Sequence, residues 1–113
     1  MTIEDIGRFG ADIKEGIGRC MGNGDFYIRL VKMMPKDQNF GILYDSIEKG
    51  DLDSAFEAAH ALKGALGNLS ITALYEPVVK ITELLRSRTQ MDYSDLVSEI
   101  REKHMELEKL CNS

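Results

Sequence analysis

His60 is the residue best suited to covalent chemistry here, because Lys63, Gly64 and Gly67 follow it at offsets of three, four and seven. Those offsets share one face of an α-helix. An imidazole has an ordinary pKa of about 6.5, so most exposed histidines are neutral and nucleophilic at cytoplasmic pH. A phosphoryl group on the ring adds nearly two negative charges, which an ammonium one turn away can partly offset. Glycine inside a helix costs about 1 kcal/mol relative to alanine, so two of them beside one histidine ask for a reason. Clearance around the ring supplies it, since a bulky partner could then approach the helix backbone. Phosphoryl transfer is catalysed mostly by positioning and charge stabilisation, so such a helix could form half of an active site. A partner must bring the other half.

The elements that carry these residues follow from apolar spacing. Almost every segment repeats apolar residues at three-to-four-residue intervals, and no β-branched alternation bounded by turns stands out, which predicts an all-α fold. Ile13, Ile17, Cys20 and Met21 mark a short helix ending around Gly22 to Gly24. Phe26, Tyr27, Leu30, Val31 and Met34 mark the next, which Pro35 stops. A third spans about residues 37–49, with Phe40, Leu43, Tyr44 and Ile47 on one stripe and Gly50 as the left-handed residue past its end. Asp51 N-caps a fourth helix that runs to about Leu69, with Asp53 complementing the dipole in its first turn. Ser70 or Thr72 is the expected cap of a fifth, reaching about Arg88, in which Pro77 predicts a kink or a delayed start. The last begins after Asp92 or Ser94 and reaches about Leu110, with Leu96, Ile100, Met105, Leu107 and Leu110 supplying apolar contacts. Short connections favour an up-down-up-down four-helix bundle over about residues 37–111, with additional short N-terminal helices over about 3–34 closing one end. Residues 1–113 are thus expected to form a single domain, and 43% hydrophobic content suffices for one core.

Composition excludes several classes. A net charge of −5 with scattered lysines and arginines argues against nucleic acid as a partner and for protein. Cys20 and Cys111 lie far apart with no second thiol at zinc-ligand spacing, which predicts ordinary reduced thiols and no metal. Apolar runs fall far short of the roughly 20 residues a membrane span needs. The acidic N-terminus MTIEDIGRFG does not read as a signal peptide, so the cytoplasm is expected.

With roughly 100° per residue, Ala55, Ala59, Leu62, Leu66 and Leu69 gather on an arc about 130° from His60. His60 therefore faces away from the core, and Lys63, Gly64 and Gly67 fall within about 60° of it. The segment AHALKGALGNLS resembles the His-x-x-Lys-Gly-x-x-Gly motif of the histidine phosphotransfer (HPt) family. The helix DFYIRLVKMM, the interval to the histidine and the later amphipathic helices also resemble that family's layout, from about residue 13 onward. The resemblance implies that His60 is the phosphoacceptor, through Nε2, that Lys63 stabilises its phosphate, and that Gly64 and Gly67 leave room for a partner. It implies a covalent phosphoryl carrier in a two-component phosphorelay, without autonomous kinase activity. The expected partners are receiver domains of response regulators or hybrid histidine kinases. No cofactor is expected on this chain, because the magnesium ion would belong to the receiver domain. Phe56, Glu57 and Ala61, around the patch, are the expected partner contacts, and a monomer is the expected state. Ser70 departs from the pattern, since many relatives have glycine near that helix end.

Two other readings compete. Glu57 and His60 have the Glu-x-x-His spacing of di-iron bundles, but Arg101 stands where a second pair with His104 would need its carboxylate, and those ligands must face inward. A helical adaptor that binds receiver domains but has lost the relay would keep the fold, although retention of both His60 and Lys63 counts against it. His104, in EIREKHMEL with no lysine-glycine pair after it, is expected to be a solvated surface residue.

Overall fold

The computed structural model describes residues 1–113 and contains helices and no strands. Three short helices come first: α1 (Ile3–Phe9), α2 (Ile13–Arg19) and α3 (Gly24–Met33). A 3-10 turn at Met34–Lys36 leads into four longer helices, α4 (Gln38–Lys49), α5 (Leu52–Asn68), α6 (Thr72–Arg86) and α7 (Ser94–Cys111). The all-α bundle with short N-terminal helices is therefore the observed architecture. No helix is long and apolar enough to cross a membrane.

Local chemistry sets most boundaries. Thr2 and Asp5 form a reciprocal capping box that starts α1, a helix the apolar spacing had not singled out. Gly50 ends α4 in the left-handed region (φ 72°), and the Asp51 carboxylate accepts from the Ser54 amide to start α5. Neither Ser70 nor Thr72 caps α6. Ile71 holds the cap position without a side-chain bond, and Thr72 is already helical. The reason lies in the turn: the Ile71 amide donates to the Leu66 carbonyl and the Ser70 amide to the Gly67 carbonyl, with Ser70 left-handed at φ 54°. This is a Schellman closure with serine where glycine is usual. The Ser70 hydroxyl donates to Glu15 Oε1 at 2.8 Å, an interaction that glycine could not make. Pro77 neither ends α6 nor delays it; the helix runs from Thr72 through the proline, which is buried against the core.

The core is shared by all the long helices. Phe40, Leu43, Leu62, Leu66, Leu74, Ile81, Leu85, Ile100 and Leu107 are fully or almost fully buried. One expected apolar contact is corrected: Met105 points largely to solvent, at 64% exposure; of the residues that marked the short helices, Met21 lies past the end of α2 and is 96% exposed, and Phe26 is 41% exposed. The N-terminal helices close the end of the bundle formed by the α5–α6 turn. Tyr27, fully buried, donates its hydroxyl to the Leu69 carbonyl at 2.8 Å, and the Asp12 amide donates to the Ser70 carbonyl at 2.9 Å. A side chain on Gly16 would overlap the Tyr27 ring, so α2 can lie this close only as glycine.

Candidate functional site

α5 separates its two faces sharply. Ala55, Ala58, Ala59, Leu62 and Leu66 are buried at 2% exposure or less, and Leu69 at 8%. His60, Ala61, Gly64 and Glu57 are exposed, while Phe56, Lys63 and Gly67 are partly covered. The expected outward patch is thus present around His60. A groove of about 570 Å³ opens beside the imidazole, bordered by Lys63, Gly64 and Tyr75 and, from α2, by Glu15 and Arg19.

The two glycines do different things. A Cβ on Gly64 would meet nothing within 4 Å, so its missing side chain leaves open space beside the ring. A Cβ on Gly67 would stand 3.0 Å from Cε1 of Tyr75, so this glycine lets α6 lay an aromatic ring against α5. Its first consequence is helix packing.

Lys63 lies 3.7 Å from Oε2 of Glu83 on α6, a long and half-exposed pair. Hydrogen bonds from Arg86, with the positive charges of Arg86 and Lys63, hold the Glu83 carboxyl below its ordinary range. A weak pairing of this kind tethers an ammonium without committing it. A new anion on the neighbouring imidazole could therefore compete for it.

Phe56, four residues before His60, lies with its ring parallel to the imidazole: the centroids are 5.6 Å apart and the planes differ by 7°. The guanidinium groups of Arg88 and Arg86 stand 4.8 Å and 5.1 Å from the centre of the same phenyl ring. Arg88 is itself fixed, donating from Nε to Asp53 Oδ1 at 2.7 Å and from Nη1 to the Leu85 carbonyl at 2.7 Å. It ends α6 in another Schellman closure, left-handed at φ 50°, with the Thr89 amide on the Leu84 carbonyl. Glu83, Arg86, Arg88 and Tyr75 were not anticipated from the sequence. The available signal was the short α5–α6 turn, whose antiparallel register brings the end of α6 beside the start of α5.

His104 is not the solvated residue expected. Its ring stacks on Phe40 at 3.8 Å between centroids and 13° between planes. Nε2 lies 2.8 Å from the Pro35 carbonyl and Nδ1 2.9 Å from the Tyr44 hydroxyl. A carbonyl only accepts, so Nε2 carries the proton and Nδ1 accepts from tyrosine. His104 joins α7 to α4 and to the turn before it, away from the His60 patch. No group of three or more His, Cys, Asp or Glu side chains converges in a way that could hold a metal ion.

Comparison with known proteins agrees with the helical geometry. The family model described as the Hpt domain matches residues 36–112, which takes in all four long helices and the His60 patch. No curated protein and no solved structure matches the chain. With a family model covering more than half of its length, the chain belongs to the Hpt domain family.

Proposed function

We propose that this chain carries a phosphoryl group on His60, accepting it from an aspartyl phosphate of one receiver domain and passing it to another. Hpt domains serve phosphotransfer in phosphorelays and generally interact with receiver domains. The observation that carries the specific reading is the face of α5: an exposed imidazole on the side opposite the core, an ammonium one turn away, and open space at Gly64. In the transfer, a ring nitrogen attacks phosphorus and the nitrogen–phosphorus bond forms. The acyl phosphate's oxygen–phosphorus bond breaks, and the aspartate leaves as a carboxylate. Lys63 offsets the charge gained by the ring, exchanging part of its interaction with Glu83 for one with the phosphoryl oxygens. Magnesium and the acidic residues that bind it come from the receiver domain. In this reading the chain works as a cytoplasmic monomer and has no kinase activity of its own.

The test mixes the protein with a phosphorylated receiver domain and magnesium, and follows intact mass and the acid lability of any label. Wild type is expected to gain an acid-labile phosphoryl group, His60→Gln to gain none, and Lys63→Gln to gain it more slowly. Label that persists in His60→Gln, or no transfer to wild type from any receiver domain tried, would overturn the assignment.

A further inference from the structure

The proposed carrier role leaves open how a lone imidazole on a convex helix keeps an orientation suited to in-line attack. An exposed histidine ordinarily samples several side-chain rotamers, and only some of them aim a ring nitrogen at an incoming phosphorus atom. His60 has an aromatic neighbour on its own helix. Its ring lies parallel to that of Phe56 at a centroid separation of 5.6 Å, within the range of offset aromatic stacking. The phenyl ring is held in its turn. Half-buried at the edge of α5, it has the guanidinium groups of Arg88 and Arg86 at 4.8 and 5.1 Å from its centre. Asp53 and the Leu85 carbonyl fix the Arg88 side chain, while Glu83 pairs with Arg86 at 3.3 Å. The non-glycine, left-handed backbone at Arg88 is a local cost that glycine would avoid, and what arginine adds there is this reach back to α5.

We infer that Phe56 is a positioning residue for His60: clamped by Arg88 and Arg86, its ring holds the imidazole in an orientation that leaves one ring nitrogen free for phosphoryl transfer. This rests on the carrier reading above and goes beyond it, because the expectation for Phe56 was contact with a partner. Positioning and contact make different demands. A contact residue contributes only when a receiver domain is docked, whereas a positioning residue contributes whatever the donor.

Phosphoramidate separates the two, since it is a small phosphoryl donor with no surface to dock and leaves only ammonia when imidazole takes its phosphoryl group. The experiment measures phosphorylation rates of wild type, Phe56→Leu and Phe56→Tyr with phosphoramidate and with a phosphorylated receiver domain. It also measures the dissociation constant for the unphosphorylated receiver. Phe56→Leu is expected to slow both reactions about fivefold, the rate equivalent of one lost aromatic stack, while the dissociation constant stays unchanged. Phe56→Tyr, which keeps a ring, is expected to restore both rates. A Phe56→Leu protein with a weakened dissociation constant and an unaltered phosphoramidate rate would make Phe56 a contact and overturn the inference; so would unaltered rates with both donors. If Phe56→Leu does not fold, Arg88→Gly decides, since it removes the clamp while relieving the left-handed backbone. A phosphoramidate rate about twofold slower supports the inference, and an unchanged rate overturns it. Failure of the carrier reading looks different: wild type itself would then gain no phosphohistidine at position 60, and the inference would fall with it.

Discussion

Replacing His104 with alanine should destabilise the fold strongly. The ring makes two hydrogen bonds, to the Pro35 carbonyl at 2.8 Å and with the Tyr44 hydroxyl at 2.9 Å, and stacks on Phe40 at 3.8 Å. Each hydrogen bond contributes about 1 kcal/mol net, and an aromatic stack about another 1 kcal/mol. Truncation also leaves the Pro35 carbonyl, on a buried residue, and the half-buried Tyr44 hydroxyl in search of partners. The expected loss is therefore about 3 kcal/mol. For a domain of this size that corresponds to a fall in Tm of roughly 12 to 18 °C. Urea unfolding followed by circular dichroism gives the free energy directly, and a calorimetric scan gives Tm. His60→Gln is the comparison: it gives up one stack, on Phe56, and no hydrogen bond, so it should lie within about 1 kcal/mol of wild type. A double-mutant cycle with Tyr44→Phe should return a coupling of about 1 kcal/mol. If His104→Ala lies within about 0.5 kcal/mol of wild type, the double anchoring of this ring is refuted. The pair of variants should thus separate stability from chemistry: His104 costs the fold, and His60 costs the phosphoryl transfer.

Two further outcomes follow from the packing. Gly64→Ala should stabilise the protein by about 1 kcal/mol in urea, because alanine favours the helix and its methyl meets nothing. Gly67→Ala should gain less or lose, because its methyl would press on the Tyr75 ring, so equal gains would contradict the geometry at Gly67. Burial pushes the Tyr27 and Tyr44 hydroxyls from an ordinary value of 10.0 up to about 12. A proton held more tightly by the folded chain than by the unfolded one stabilises folding fully below about pH 10, and that contribution is lost as pH rises through about 12. Ultraviolet titration of tyrosinate alongside urea stability from pH 8 to pH 12 checks this, and ordinary titration of both hydroxyls would contradict it.

The candidate site was legible where it depends on one helix. The placement of His60 opposite Ala55, Ala59, Leu62 and Leu66 needed only helical periodicity, and the burial pattern agrees. Gly50 and Asp51 marked their helix ends because capping is a matter of adjacent residues. What escaped the sequence depends on neighbours brought together by the bundle. His104 sits in a charged run that resembles a solvated face, and its partners Pro35, Phe40 and Tyr44 are at least 60 residues away along the chain. Ser70 suggested a cap through its chemistry, but the closure of α5 required its backbone to turn left-handed and directed its hydroxyl to Glu15. Gly67 suggested clearance for a partner, and the contact it also allows with the Tyr75 ring depends on α6.

The alanines on the inner face of α5 have a consequence for how a signal could pass through this protein. Ala55, Ala58 and Ala59 seat the part of the helix just before and beside His60 against its neighbours with side chains that have no rotamers to exchange. A phosphoryl group on His60 would arrive on the opposite, solvent side, where the flanking groups are short or already tethered. Those three alanines beneath it offer no second arrangement of the kind a conformational switch requires. The message would then reside in the bond itself, as transferable chemical potential, and a downstream protein would read it by removing it rather than by sensing a change of shape.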